Sequence, residues 1–238
     1  MLQHDENVLA YLKTRSRLAY GLTTNFAAAR RVRRPNCSWE QIIEYAFEFS
    51  DAFLRPLQVR SEIKAPLENI ERLKPKTVLE IGTAGGGTFF MLARAAADDG
   101  HLISLDLPQG RWGAGYSKWK TYVFRRLIPP GQKADFIRKD SHLPEAFVAV
   151  KQVLRGTPVD VLFIDGDHSY AGVKQDFQTY APLVRPNGLV LLHDIAEHPP
   201  EKQCHVSEFW KELRNHYRTE EFIENACQGW AGIGMIHV

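Results

Sequence analysis

The chain is 238 residues long with a formal charge of +2, 44% hydrophobic and 24% charged residues, which suits one large α/β domain with an elaborated end and argues against a second full domain. So small a net charge gives no bulk attraction to nucleic acid or to a membrane surface, and neither partner is expected. Three scattered cysteines (Cys37, Cys204 and Cys227) form no C-x-x-C pair, which argues for a reducing compartment. With no apolar run near the ~20 residues of a membrane span, a cytoplasmic protein is expected.

Residues 1–60 read as a helical N-terminal extension ahead of a sheet-bearing domain at 61–238. Helical character is visible at Asn7–Leu12 and Asn25–Arg31. Arg30, Arg31, Arg33 and Arg34 make the one concentrated basic patch. No aromatic stacking platform accompanies it, so a solvated surface or an oligomer contact is favoured over phosphate recognition, and a homo-oligomer is expected. Ser38-Trp39-Glu40-Gln41 has the form of a capping box, in which Ser and Gln satisfy two orphan N–H groups reciprocally. The helix it opens carries Ile42, Ile43, Ala46, Phe47 and Phe49 on amphipathic spacing. Residues 57–73 read as a further helix, stopped by Pro75.

From Thr77 the pattern becomes alternating strand and helix, the mark of a parallel sheet. Strands are read at 77–81, 101–106, 135–138, 159–165 and 188–194, then an extended piece at 221–224 and a last strand at 232–238. Tyr170–Tyr180 and Val206–His216 are the clearest helices. The first strand runs into Gly82-Thr83-Ala84-Gly85-Gly86-Gly87-Thr88 and then a helix-forming stretch, Phe89–Ala97. Strand, glycine turn and helix is the layout in which a small ligand lies against backbone N–H groups at the carboxyl edge of a sheet. A dinucleotide fingerprint requires G-x-G-x-x-G, but the position of its second glycine is Ala84 here. Glu80, two residues before Gly82, would repel a pyrophosphate. A carboxylate there suits S-adenosylmethionine (SAM), which carries an ammonium, a sulfonium and two ribose hydroxyls. Glu80, Gly82, Thr83, Gly87 and Thr88 are the candidate cofactor contacts of this turn.

Each of the first five strands ends at or near an acidic residue: Glu80, Asp106, Asp140, Asp165 and Asp194. In an open parallel sheet these edges face one crevice, where like charges need a cation or hydrogen-bond donors. Asp106, 26 residues after Glu80, is placed to accept from ribose hydroxyls. Asp140-Ser141 would sit beside an adenine, while capping of a short helix at Leu143-Pro144-Glu145 explains Asp140 equally well. Asp165 and His168, with His193-Asp194 beginning 28 residues after Asp165, gather carboxylates and imidazoles at adjacent strand ends. Carboxylates suit Mg²⁺ or Mn²⁺, and imidazole shifts the preference toward Mn²⁺, Fe²⁺ or Zn²⁺. A metal beside a methyl donor would lower the pKa of an acceptor hydroxyl, with Asp165 and His168 as the catalytic pair and His168 as general base. Asp167 is assigned to holding the turn, and His142, His198 and His205 to the surface. Arg111–Tyr116, with Trp112 and Tyr116, reads as a lid over the acceptor.

The segments VLEIGTAGGGTFFMLARAA, LISLDLPQGRWGAGY, GQKADFIRKDSH, VDVLFIDGDHSYAGVKQDFQTYAPLVRPNGLVLLHDI and VSEFW together resemble the class I SAM-dependent methyltransferases. The nearest group is that of the cephalosporin-hydroxylase-like and macrolide-sugar O-methyltransferases. The resemblance covers roughly residues 57–215 in family order. It implies an α/β fold, a Rossmann-like doubly wound sheet of seven strands with the last one antiparallel. It also implies SAM contacts at Glu80, Gly82, Gly87, Asp106, Asp140 and Ser141, with Asp165 facing the cofactor as well. A divalent metal is implied at Asp165, His193 and Asp194, and His168 falls where similar catechol-type O-methyltransferases carry a general-base lysine. His193 stands where the related enzymes have an oxygen ligand, and Ala84 where a glycine is common. The expected activity is metal-assisted O-methylation of a small-molecule hydroxyl, on a sugar or a natural product. The alternatives are a metal-independent methyltransferase with a histidine base, a nicotinamide oxidoreductase and a non-catalytic SAM-binding protein.

Overall fold

The computed structural model describes residues 29, 31–48, 54, 56–108 and 115–238. The helical readings at Asn7–Leu12 and 25–28, Arg30 of the basic patch, Phe49 and the lid residues Arg111–Ala114 lie outside the described residues. Helix α1 (Trp39–Glu48) opens with the expected capping box. The Ser38 N–H donates to Gln41 Oε1 at 2.9 Å, and the Gln41 N–H donates to Ser38 Oγ at 3.3 Å. Trp39, Ile42, Ile43 and Ala46 form its buried face. Helix α2 (Arg60–Leu73) starts later than the sequence pattern indicates and ends on left-handed Lys74. Of the basic patch, Arg34 is an ion-pair partner: its Nε stands 2.8 Å from Glu71 Oε1, and the Trp39 indole N–H donates to the other oxygen at 2.8 Å. That arginine is thus part of the α1–α2 packing.

Seven strands follow: β1 (Thr77–Ile81), β2 (His101–Asp106), β3 (Lys133–Arg138), β4 (Val159–Ile164), β5 (Val184–His193), β6 (Arg218–Phe222) and β7 (Ile233–His237). They lie in the order β3-β2-β1-β4-β5-β7-β6. β1 through β5 pair in parallel, and β7 runs antiparallel to both β5 and β6. Helices α3 (Gly87–Ala95), α4 (Lys118–Leu127), α5 (Pro144–Leu154), α6 (Tyr170–Tyr180) and α7 (Val206–Leu213) lie between successive strands among the described residues. This is the Rossmann-like α/β architecture anticipated from the sequence. β5 begins at Val184, ahead of its apolar run, because Val184 pairs with Val159 before an irregularity in register; Pro186 and Gly188 obscured that start.

Side chains alternate across the central strands, so the sheet separates two cores. Val78, Leu102, Val161, Phe163, Leu191 and Met235 face α1–α4, and Leu79, Ile81, Ile103, Leu162, Val190 and Ile236 face α5–α7. Every residue of β1 is buried, as a strand covered on both faces must be. Arg94, near the end of α3, is 4% exposed. It donates to the carbonyls of Ala29, Val32, Phe90 and Leu127 and stacks on the Phe90 ring at 3.4 Å. Burial pushes its guanidinium down to about 9. This one side chain fastens the described N-terminal residues to the sheet-covering helices. The strand order reverses between β1 and β4, the point at which open α/β sheets leave a crevice beyond the strand carboxyl ends.

Candidate active site

Gly82 leaves β1 with φ +87, and a Cβ there would overlap the Asp165 carbonyl at the end of β4. The Gly82 N–H donates to the Leu105 carbonyl at 2.9 Å and the Asp165 N–H to the Ile81 carbonyl at 2.8 Å. Three strand ends are thereby drawn tight. A Cβ on Gly87 would strike the Leu54 carbonyl, so packing of the chain on itself demands this glycine. Gly82 and Gly166 line two cavities at once, one of about 620 Å³ and one of about 800 Å³.

The smaller cavity is bounded by Asp106, Asp140, Ser141 and His142. Asp106 Oδ2 accepts from the N–H of Ala84 at 2.7 Å, and Ala84 adopts φ 44, the left-handed geometry a glycine would enter more freely. Burial pushes the Asp106 carboxyl up to about 6. Asp140 Oδ1 accepts from the His142 N–H at 3.0 Å, and the Ser141 carbonyl accepts from the Tyr180 hydroxyl at 2.8 Å. Leu143 is the N-cap of α5, so Asp140 does not cap that helix. His142 lines the cavity and stands 3.4 Å from the buried carboxylate of Asp176; it is not a free surface side chain. His205 is exposed beside Glu208, as the sequence indicated, although it also borders this cavity.

Glu80 is 1% exposed and is not among the residues lining either cavity. Its Oε2 accepts from Thr83 Oγ1 at 2.6 Å, Thr83 Oγ1 meets Ser104 Oγ at 2.7 Å, and Ser104 Oγ meets the Tyr116 hydroxyl at 2.8 Å. Burial pushes the Glu80 carboxyl well up, and the charges of Asp165 and Asp106 add to this. Its Oε1 has no hydrogen-bond partner. Tyr116 is part of this buried chain and packs edge-on against Phe124 and Phe136. The lid reading is corrected at this residue: an aromatic core claims the ring.

The larger cavity contains Thr83, Gly87 and Thr88 of the glycine turn and the groups ending β4 and β5: Asp165, His168, His193 and Asp194. His193 Nδ1 stands 3.2 Å from Asp165 Oδ1 and 3.3 Å from Asp194 Oδ2. Yet neither of its buried ring nitrogens makes a hydrogen bond. His193 thus brings ring nitrogens out of line for hydrogen bonding to two nearby carboxylate oxygens, the kind of mixed donor set a cation binds. His168 Nε2 lies 3.6 Å from Asp165 Oδ1 and its Nδ1 3.2 Å from Asp194 Oδ2. Burial alone would lower the His168 imidazole, but hydrogen bonds to Asp165 and Cys204 and the charge of Asp194 raise it to about 10. Burial likewise opposes protonation of His193, and the charges of Asp165 and Asp194 overcome it and raise that imidazole. Burial would raise Asp194, while His193 holds it well below the usual carboxylate range. Asp194 itself sits at φ 63. Its Oδ1 accepts from the Ala231 N–H at 3.1 Å and faces His198 Nε2 at 3.1 Å.

One donor atom each from Asp165, His193 and Asp194 falls within 4.8 Å of the others, and the same is true of His168, Asp194 and Cys204. The residues fit a divalent cation on two counts, the mixed oxygen–nitrogen donor set and the orphaned His193 nitrogens. Asp167 Oδ1 accepts from the Ser169 N–H at 2.7 Å, the turn-holding role expected of it. Three contributors escaped the sequence reading. Gln58 Nε2 donates to Asp165 Oδ2 at 3.2 Å. The His198 side chain is 7% exposed, which corrects its surface assignment; its i,i+4 spacing from Asp194 was the available signal. Cys204 carried no signal at all. Glu62, on α2, holds the far wall: it accepts from the N–H groups of Glu224 and Gly232, both at 2.9 Å, and from Gln228 Nε2 at 2.7 Å. That fixes the loop bearing Gln228, Gly229 and Trp230, all of which line the larger cavity.

Residues 79–195 match a family model described as a methyltransferase domain. A curated but uncharacterised protein of Sinorhizobium fredii, y4gI, is 28% identical over 149 residues, covering 60% of this chain and 16% of that one. An uncharacterised protein of Acanthamoeba polyphaga mimivirus, R132, is 27% identical over 146 residues, covering 61% of this chain and 63% of its own length. The chain therefore spans less than two thirds of either relative. Among solved structures, the O-methyltransferase of Bacillus cereus in complex with SAH has a TM-score of 0.52 at 17% identity, covering 94% of this chain and 90% of that one. The methyltransferase MycE from the mycinamycin biosynthetic pathway, in complex with Mg, SAH and mycinamycin VI, has a TM-score of 0.53 at 14% identity. That alignment covers 87% of this chain and 55% of MycE. At these identities the structures establish the shared fold.

Proposed function

We propose that this chain, whose residues 79–195 match a methyltransferase domain and whose fold is shared with O-methyltransferase structures, is a SAM-dependent methyltransferase that transfers a methyl group to a hydroxyl of a small-molecule acceptor with the help of a divalent cation. The observation that carries this reading is the convergence of Asp165, His193 and Asp194 on one point beside the glycine turn. SAM would span the Gly82–Gly166 neck. Asp106 would accept from its ribose hydroxyls, Asp140 and Ser141 would flank the adenine, and Thr83, Gly87 and Thr88 would face its amino-acid end at the N-terminus of α3. Asp165, His193 and Asp194 would hold Mg²⁺ or Mn²⁺, which supplies Lewis acidity to the acceptor oxygen.

Within this arrangement His168 has the protein's proton to move. Asp194, at 3.2 Å from Nδ1, fixes the ring, and Nε2, 3.6 Å from Asp165 Oδ1, would take the acceptor proton. Two carboxylates hold His168 protonated when they lack other compensation, so neutralising Asp165 and Asp194 is what frees the imidazole to act as a base. Glu62 positions the acceptor wall through Gln228 and Trp230. An acceptor of sugar or natural-product type suits this cavity, and MycE with its bound mycinamycin VI offers a parallel. Assembly as a homo-oligomer and a cytoplasmic setting for the three free cysteines complete the proposal.

Labelled SAM, Mn²⁺ and a panel of catechol and methyl-glycoside acceptors test it. Methyl transfer that disappears on exhaustive chelation and returns with Mn²⁺ is expected. Activity that survives chelation would favour the second reading, in which the His168–Asp194 pair acts as a plain base without metal. SAM binding with no transfer to any acceptor would point to a non-catalytic protein.

A further inference from the structure

Cys204 follows a short 3₁₀ turn (Pro200–Lys202) and left-handed Gln203. The next residue's N–H, that of His205, donates to the His168 carbonyl at 2.8 Å. The backbone thus clamps the cysteine loop to the turn carrying His168, which brings Cys204 Sγ within 4.8 Å of a His168 ring nitrogen. Cys204 is 9% exposed, lines the larger cavity and has its Sγ within 4.8 Å of donor atoms of His168 and Asp194. The same Asp194 Oδ2 that stands 3.2 Å from His168 Nδ1 stands 3.3 Å from Nδ1 of buried His193, whose ring nitrogens make no aligned hydrogen bond.

We infer that His168, Asp194 and Cys204 form a second metal site, which takes a thiophilic divalent ion such as Zn²⁺ and, when filled, stops methyl transfer. Sulfur, nitrogen and one carboxylate oxygen are a zinc donor set, with a fourth position left to water, whereas hard Mg²⁺ has no use for the sulfur. As the sulfur–metal bond forms, the thiol proton passes to solvent. Binding the ion takes the one free lone pair of the neutral His168 ring and leaves its other nitrogen carrying the ring hydrogen, so the imidazole can no longer accept a proton. Asp194 belongs to both triads, so filling the second also weakens the first. The inhibitory half of this inference rests on His168 being the base proposed above; the site itself does not.

The experiment titrates Co²⁺ into the full chain with Mg²⁺ in excess. A near-ultraviolet thiolate-to-cobalt charge-transfer band is expected in the parent and absent from Cys204→Ser, which keeps Cys37 and Cys227. Competition should show zinc bound at least about tenfold more weakly by the variant. An unchanged band or unchanged zinc affinity overturns the site. In the parent protein, independent of the variant's folding, Zn²⁺ should shield Cys204 from alkylation and Mg²⁺ should not; a Cys204 alkylated equally with either ion overturns it too. Zinc should then inhibit methyl transfer by the parent and spare Cys204→Ser. Zinc bound at Cys204 without inhibition overturns the inhibitory half. A parent that transfers no methyl group with Mg²⁺ or Mn²⁺ overturns the preceding reading and the inhibitory half with it, and the cobalt band then decides the site alone.

Discussion

The two cavities that meet at Gly82 and Gly166 hold their carboxylates in opposite ways. In the smaller, Asp106 and Asp140 accept from the backbone N–H groups of Ala84 and His142. In the larger, Asp165 and the free oxygen of Asp194 face imidazoles that titrate. Backbone donors are fixed by the fold and keep their charge distribution at any pH, so the first pair is preorganised before a ligand arrives. The second pair depends on what its neighbours carry, and a cation would rearrange the protons of the whole cluster. A cavity whose carboxylates are held by main chain and one whose carboxylates face side-chain imidazoles therefore meet at Gly82 and Gly166.

The most damaging way to break this contrast is to spoil the glycine itself. Gly82→Ala puts a methyl into the Asp165 carbonyl at a positive φ. It should lower stability by about 3 kcal/mol or more and weaken SAM and Mn²⁺ binding together, as melting and calorimetry would register. If either affinity were preserved, the shared neck would not be coupling the cavities. Asp165→Ala strikes one side only. Turnover and Mn²⁺ affinity should fall more than about 100-fold while SAM binding stays measurable, and full activity in the variant would remove the metal role.

Asp106→Asn strikes the other side, with a smaller effect. SAM affinity at pH 8 should drop about tenfold. The Asp106 carboxyl lies near 6 because burial raises it, so it is ionised above that pH and protonated below. In the parent, SAM affinity should therefore decline as pH falls through about 6, and the variant should lose that inflection. Glu62→Gln should have the mildest consequence, a loss of about 1 kcal/mol and a few-fold rise in acceptor KM with SAM affinity unchanged. An equal change in SAM affinity would mean that the Gln228–Trp230 loop does not belong to one cavity alone.

Residues whose role is written in local pattern were legible in the sequence. The capping box at Ser38–Gln41, the apolar strands, the Tyr170–Tyr180 helix and the acidic strand ends each follow from spacing within a few positions. The larger cavity's second ring of residues was not, because its members come together only through tertiary packing. Cys204 reaches His168 through a turn thirty-odd residues away, and Gln58 reaches Asp165 from the entry to α2. His198 looked like one more loop histidine until β5 and the Ala231 loop enclosed it. Tyr116 erred the other way: an aromatic in a glycine-bearing loop suggests exposure, and only the stack with Phe124 and Phe136 assigns it inward.

Glu62 precedes the methyltransferase-domain match at residues 79–195, and its partners Glu224, Gln228 and Gly232 all follow it. A buried carboxylate thus ties the two flanks to each other behind the matched span. A fragment trimmed to that span would keep all five acidic strand ends and still lose the Gln228–Trp230 wall of the larger cavity. If the proposed function holds, recutting this clasp would be a way to alter which compound is modified without touching the groups of the smaller cavity.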